Sequence, residues 1–519
     1  MSAPVQGLEV HRGTYVDSML LMAATVTMDG CDGVSWAGAA MASARGLADL
    51  AAAGFTGGRL EGLGGNDLVL AVRADDDDAA AGALVAGWEL LSTEQVAPAG
   101  GEDRPPTTIA QAVRRTEGAN VAIISVPGEY AALEAHHALT AGLHVLLFSD
   151  GVPLEQEIEL KDRAAALGLL VMGPGAGTAV LAGTGLCFSN TLGERAPTGA
   201  VGVVAAAGTG AQEVSALLAR WGVPVSQVIG VGGRDLSEPV AGRMAQLAVR
   251  ALDADPRTDV VLLVSKPPAA SAAARVLAEC VTTRAVAVFL GLDAVEAPAG
   301  VHLSPTLEEG SLVAARLAGA TPPPLTGGLV DRVTTAVATL GPDRRTVRGL
   351  FSGGTLCYEA QYVLEGMLGP VHSNEPLRKE HAMPAPEGAH VLLDLGAEEY
   401  TRGVPHPMID LGVRVDALEA LIGAPEVAVV LLDVVLGHSS HEDPAAVLAP
   451  VCARLMADGG PVVVVHVLGT ESDPQGYTRQ RAALEAVGCL VGETNARAAW
   501  AAGAIVLRDP ALAASGTRA

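Results

Sequence analysis

Short apolar, β-branched runs alternate with longer stretches of helical periodicity along almost the whole chain. They include NDLVLAV (66–72), NVAIISV (120–126), HVLLF (144–148), AVGVVAAA (200–207), DVVLLVS (259–265), AVAVFLG (285–291), HVLLDLG (390–396), VAVVLLDVVLG (427–437) and PVVVVHVLG (461–469). These runs are continuous rather than alternating, as in strands buried on both faces, so the pattern predicts repeated βα units around mainly parallel sheets. Breaks in the rhythm at APAGGEDRPPTT (97–108), APTGA (196–200) and GATPPPLTGG (319–328) divide the chain into units of about 1–100, 101–195, 196–320 and 345–510. The four aspartates at 75–78 precede an apolar helical stretch and read as a solvated helix start. GTGAQEVSALLA (208–219) and GTLCYEAQYVLE (354–365) share G-T-x-x-x-E after an apolar strand, which predicts two copies of one small α/β domain.

Charge narrows the partners. With 33 basic against 58 acidic residues the chain carries a net charge of −25, which argues against nucleic-acid and anionic-membrane partners and requires a local positive pocket for any small anionic substrate. The six cysteines show no C-x-x-C spacing and fit a reducing cytoplasm. No run approaches the length of a membrane span, so the expected location is soluble and cytoplasmic.

The turn Gly208-Thr209-Gly210 sits between a strand and a helix, where free amides and the positive end of a helix dipole suit an anion. Two other turns qualify as a second helix terminus facing it: SGGT (352–355) and LGHSSHEDP (436–444), the latter offering Gly437, His438, Ser439 and Ser440, whose hydroxyls also suit a cap. His438, His441 and Glu442 are too few and too isolated for a metal site, and none is expected. Arg234 and Asp235 lie in the glycine loop GVGGRDLSEP, and Lys266 at a strand's C-terminal edge, where open α/β sheets carry their sites. His406 and Asp410 in PHPMID, and Glu471 and Asp473 in GTESDPQ, have the chemistry to orient an amide or move a proton, or else to close turns.

The stretches VPGEYAALEAHHALTAGLHVLLFSDGVP (126–153), MGPGAGTAVL (172–181), GAVGVVAAAGTGAQE (199–213) and VIGVGGRDL (228–236) resemble the α-subunit of succinyl-CoA synthetase in order and spacing. The block 390–471 is similar to the C-terminal domain of that enzyme's β-subunit. Together with RGTYVDSMLLM (12–22), SKPP, SGGTLCYEA and PHPMID, the whole resembles the FdrA family over nearly the full chain. The resemblance implies a Rossmann-like CoA-binding domain followed by two flavodoxin-like, succinyl-CoA-synthetase-type domains, behind a small N-terminal α/β domain. In the synthetases two helix N-termini hold a phosphohistidine; the matching turns here are Gly208-Thr209-Gly210 and Gly437-His438-Ser439, and Glu213 matches the acid that steadies the histidine.

The histidine-bearing segment itself is replaced by GLDAVEAPAGVHLSP (291–305), where His302 stands in a different context, and the units leave no room for a nucleotide-binding ATP-grasp domain. FdrA-type proteins are linked to purine (allantoin) catabolism as one subunit of an oxamate carbamoyltransferase, which with two partner proteins converts oxalurate and phosphate to oxamate and carbamoyl phosphate. The resemblance thus implies phosphate held by Gly208, Thr209, Gly210, Gly437 and Ser439. His438, His406 and Lys266 would be the catalytic groups, and Arg234, Asp235, Glu213 and Asp410 would face the substrate. No cofactor is fixed by the resemblance: phosphate or carbamoyl phosphate is expected as substrate, CoA is left open, partner subunits are expected, and self-association is left open. The alternatives are a CoA ligase subunit that takes its nucleotide site from a partner, its SDGVP and GPGAG turns holding CoA, and a non-catalytic scaffold of the same fold.

Overall fold

The computed structural model describes residues 5–16, 18–93, 105–192, 200–292, 296–401 and 404–515. The expected linker at 97–108 up to residue 104, and residues 196–199 of the expected hinge, lie outside them. The described residues fall into two compact units, one within 1–107 and 398–406, the other within 108–397 and 407–519. No helix among them is long and apolar enough to cross a membrane.

The first unit runs β1 (Val5–His11), α1 (Ser18–Asp29), β2 (Val34–Met41), α2 (Ala44–Ala52), β3 (Leu68–Ala74), α3 (Asp77–Thr93). Its sheet has the order β1-β3-β2 and is wholly antiparallel, with the apolar β3 buried in the centre. The aspartate run does start a helix: Asp76 Oδ1 accepts the Ala79 amide at 2.8 Å and α3 begins at Asp77.

The second unit opens with α4 (Ile109–Arg115), β4 (Val121–Ile124), α5 (Gly128–Thr140), β5 (His144–Leu147), α6 (Leu154–Leu167) and β6 (Val171–Met172), whose strands form a parallel sheet β4-β5-β6. The hairpin β7 (Thr178–Leu181) and β8 (Thr184–Cys187) then leaves that sheet and pairs antiparallel with the edge of the next one.

The first lobe of the doubled part contains β9 (Ala200–Ala206), α7 (Gly208–Arg220), β10 (Val225–Gly230), α8 (Arg243–Asp253), β11 (Thr258–Ser265), α9 (Ala270–Leu277), β12 (Arg284–Phe289), β13 (Val301–Ser304) and α10 (Leu307–Leu317). After α11 (Leu329–Thr339), the second lobe contains β14 (Thr346–Phe351), α12 (Gly354–Leu368), β15 (Val371–His372) and β16 (His390–Asp394). The short α13 (Glu398–Thr401), which belongs to the first unit, interrupts it before α14 (Gly412–Glu419), β17 (Val427–Val435), α15 (Pro444–Met456), β18 (Val462–Leu468), α16 (Tyr477–Ala486), β19 (Leu490–Gly492) and α17 (Asn495–Leu507).

The parallel strands are ordered β13-β12-β11-β9-β10 in one lobe and β15-β16-β14-β17-β18-β19 in the other. Numbered within each lobe both read 2-1-3-4-5, the flavodoxin-like order, with β15 added at the edge of the second. The core follows from this layering. Val201, Val203 and Ala205 of β9 face the core shared with the second lobe, while Val204 and Ala206 face the core shared with β4–β6. Helices α7 and α12 lie between the lobes, so residues Thr209–Leu218 and Thr355–Ala360 are buried all round.

Candidate functional site

In a 2-1-3-4-5 sheet the first and third strands diverge at the topological switch point, and ligands bind beyond their C-terminal ends. In the first lobe that point lies between β9, which runs into Gly208, and β11, which runs into Lys266. In the second it lies between β14, which runs into Ser352-Gly353-Gly354, and β17, which carries Asp433.

The two switch points meet. The Thr355 amide donates to Thr209 Oγ1 at 3.3 Å, and a Cβ on Gly353 would come within 2.8–3.0 Å of the Thr209 side chain, so the N-termini of α7 and α12 abut. The amides of Gly208, Thr209, Gly210 and Gly354 have no acceptor among the described residues. Gly208 is exposed, with open space where a Cβ would stand, whereas Gly210 packs against Val264 and Thr355. The positive ends of both dipoles thus lie side by side, with Gly208 exposed and Gly354 half-buried, an arrangement suited to an oxyanion.

The 352–354 turn is held from beneath. Asp433, fully buried, accepts the Ser352 amide (2.8 Å) and hydroxyl (3.0 Å) through Oδ1 and the Gly353 amide (2.7 Å) through Oδ2. Arg414, also buried, sits 3.2 Å from Asp433 and donates to the carbonyls of Leu350 and Asp433. Lys266 and Asp394 flank Gly354: a Cβ there would lie 3.2 Å from Lys266 Nζ and 2.3 Å from Asp394 Oδ2. Burial raises the Asp394 carboxyl to about 6, against the pull of Lys266 in the opposite direction.

The repeated G-T-x-x-x-E has a use that sequence alone did not disclose. Glu213 Oε1 accepts the amide of Asn495, the first residue of α17 (3.3 Å), and Glu359 Oε1 accepts the amide of Leu307, the first residue of α10 (2.6 Å). Each lobe's glutamate therefore caps a helix of the other lobe. Around these caps, Asn495 Nδ2 donates to Glu359 (2.8 Å), Thr494 Oγ1 to Glu308 (2.6 Å), and buried Arg497 to Glu308.

Several sequence expectations need correction. The turn facing Gly208-Thr209-Gly210 is 352–355, not Gly437-His438-Ser439. The latter is closed by the loop 188–191: the Gly437 amide donates to Gln475 (3.1 Å), the His438 amide to the Ser189 carbonyl (3.0 Å), and Asn190 Nδ2 to the Leu436 carbonyl (2.9 Å). Gln212 of α7 reaches that same loop at Phe188 and Asn190, so the loop stands between α7 and the 437 turn. His438 is exposed, 3.3 Å from Thr191 Oγ1, and Ser439 is exposed with φ +64°. Asp443, not Ser439 or Ser440, caps α15.

Glu213 does meet a histidine, but it is His466 of β18, fully buried, with Nε2 at 2.7 Å from Oε2. It is a packed pair out of reach of substrate. Asp235 is buried too, bound to Lys161 (2.8 Å) and to the amides of Met244 and Ala245, while half-exposed Arg234 pairs with Glu157 (2.9 Å) and donates to the Val152 carbonyl (2.7 Å). Asp410 accepts the Gly412 amide (2.8 Å) ahead of α14, and His406 belongs to the first unit. Glu471 and Asp473 close turns, through Thr478 and through Thr470, Asn190 and Thr191. His302 is exposed on β13. The SDGVP and GPGAG turns close on one another, with the Gly175 amide 3.1 Å from the Ser149 carbonyl.

Known proteins place these features in a family. The CoA-ligase family matches residues 350–505, and the family described as AllF, heavy metal-associated domain, matches residues 4–106. That domain offers no thiolate pair for a heavy metal: Cys31 is its single cysteine, its Sγ donates to the Thr27 carbonyl at 3.3 Å, and no group of three or more His, Cys, Asp or Glu ligands occurs among the described residues. The chain is 28% identical over 167 residues to the α-subunit of an ADP-forming succinate–CoA ligase of Aquifex aeolicus, covering 31% of this chain and 51% of that one. It is 29% identical over 173 residues to the ADP-forming sulfoacetate-CoA ligase subunit SauD of Bilophila wadsworthia, covering 32% of this chain and 57% of that one. YahF of Escherichia coli K12, a protein of uncharacterized function, is 35% identical over 498 residues, 94% of this chain and 96% of YahF. With a likeness that runs the length of both chains, this protein belongs to the YahF family, its second lobe matching the CoA-ligase family and about a third of the chain resembling succinate–CoA ligase α-subunits.

Proposed function

We propose that the chain is the phosphate-binding subunit of an FdrA-type carbamoyltransferase complex, working in the cytoplasm with partner subunits on oxalurate and phosphate. The observation that carries this reading is the abutting of two helix N-termini with unbonded amides beside the ammonium of Lys266. Hydrogen phosphate held there is fixed by charge and by donors that need no reorganisation. The transfer consists of attack by a phosphate oxygen on the ureido carbonyl, departure of the oxamate nitrogen, and formation of carbamoyl phosphate. It calls for electrostatic stabilisation and no covalent intermediate on the protein. The match of residues 4–106 to a domain named for AllF, and the absence of the synthetase histidine segment from 291–305, support it. In this reading the units 1–100, 101–195, 196–320 and 345–510 act as an N-terminal module, a CoA-binding-type module and the two lobes that form the anion site.

A second reading is favoured by the CoA-ligase match and by the ligase α-subunit likeness: an acyl-CoA ligase subunit whose nucleotide site comes from a partner. Thermal unfolding separates the two. A ligand bound only by the native state stabilises it by about 2.7 kcal/mol at a hundredfold excess over Kd. The carbamoyltransferase reading expects phosphate and carbamoyl phosphate to raise the melting temperature and CoA to leave it unchanged. Protection by CoA with no phosphate effect transfers the assignment to the ligase.

A further inference from the structure

One buried acid at the site is left half unused. Asp394 ends β16 and is 5% exposed. Its backbone is clamped by Asn374, whose Oδ1 accepts the Asp394 amide and whose Nδ2 donates to the Asp394 carbonyl, both at 2.9 Å. Oδ1 accepts the Gly396 amide at 2.9 Å, but Oδ2, the oxygen directed at Gly354, has no donor among the described residues. The Lys266 ammonium likewise has no acceptor there and lies 6.0 Å from the centre of the Tyr358 ring. Asp433, by contrast, satisfies both oxygens, as a structural aspartate does. The other titratable and charged groups around Asp394 are Glu375 after β15, Asp433 on β17 and the Cys357 thiol on α12.

We propose that Asp394 is the catalytic proton carrier of the site and Lys266 its phosphate ligand, an inference that rests on the carbamoyl-transfer reading above. As a phosphate oxygen bonds to the ureido carbon, Asp394 Oδ2 accepts the proton of hydrogen phosphate. As the C–N bond breaks and its electron pair goes to nitrogen, Asp394 returns that proton to the nitrogen. The products are oxamate, whose nitrogen has taken that proton, and carbamoyl phosphate. Asp394 ends as it began, Lys266 remains an ammonium, and no oxidant or reductant takes part. Only the glycine at 354 leaves room for this, since a Cβ would occupy the space between the two side chains and the first amide of α12.

The test uses the enzyme assembled with its partner subunits, inorganic phosphate as the binding probe, and Asp394→Asn and Lys266→Met. Asp394→Asn is expected to lower kcat by about 100-fold or more, to abolish the fall in rate on the acid side of the pH profile, and to leave phosphate affinity within about threefold. Lys266→Met is expected to weaken phosphate binding roughly tenfold or more. A wild-type rate that does not fall as pH drops below about 6 overturns the proposal whether or not the variant folds. So does Asp394→Asn with unchanged kcat and bound phosphate. Failure of the wild-type complex to bind phosphate at all is a distinct result, which removes the underlying site reading and this inference with it.

Discussion

Gly208 and Gly354 occupy equivalent places in the two lobes yet answer to different surroundings. Open space surrounds the Cβ position of Gly208, so Gly208→Ala is expected to change stability by less than about 0.5 kcal/mol in chemical denaturation. At Gly354 the added methyl meets Asp394 Oδ2 and Lys266 Nζ, so Gly354→Ala is expected to cost about 1–3 kcal/mol and to weaken phosphate binding by calorimetry. Glu359 yields a pH prediction. Burial, reinforced by the nearby Glu213 and Glu308, raises its carboxyl to about 8 from an ordinary 4.5. The folded state therefore keeps a proton that the unfolded state releases. The associated stability is complete below about pH 4.5 and is lost as pH rises to about 8. Denaturation midpoints should fall across that window, and Glu359→Gln should flatten the fall. Lys266 was legible in the sequence as a charge at a strand's end. Asp394, closing β16, and Asp433, near the end of β17, are each the lone carboxylate of an apolar strand, but nothing local says that one keeps an oxygen free while the other does not.

The elements were the easiest level to read, because strands buried on both faces declare themselves as unbroken β-branched runs. All nine quoted runs contain strands, and both lobes have the expected flavodoxin-like order. The antiparallel pairing of β1–β3 and the transfer of β7–β8 to the neighbouring sheet were not legible, since pairing direction and partner depend on contacts remote in sequence. The G-T-x-x-x-E repeat announced the duplication but not the exchange of helix caps, which exists only once the lobes are packed. That exchange is testable. Arg497→Ala leaves buried Glu308 without its guanidinium and is expected to destabilise by about 3–5 kcal/mol in urea unfolding. Glu213→Gln and Glu359→Gln should be non-additive in a double-mutant cycle run above about pH 8, where the ionised Glu359 repels Glu213 across the interface.

At the scale of the whole molecule, a chain of net charge −25 abuts two helix N-termini between duplicated lobes and sets beside one of them a lysine with no acceptor among the described residues. The sequence named one of the two facing turns and offered both candidates for the other, and only packing chose between them: the loop 188–191 closes the 437 turn and leaves 352–355 against α7. The most direct test is a crystal structure grown or soaked with arsenate, whose anomalous signal locates a phosphate-like anion without ambiguity. The account predicts one ordered anion contacting the amides of Gly208 and Gly354 and the ammonium of Lys266. An anion ordered at the Gly437-His438-Ser439 turn, with the abutting termini of α7 and α12 empty in the same crystal, would contradict it.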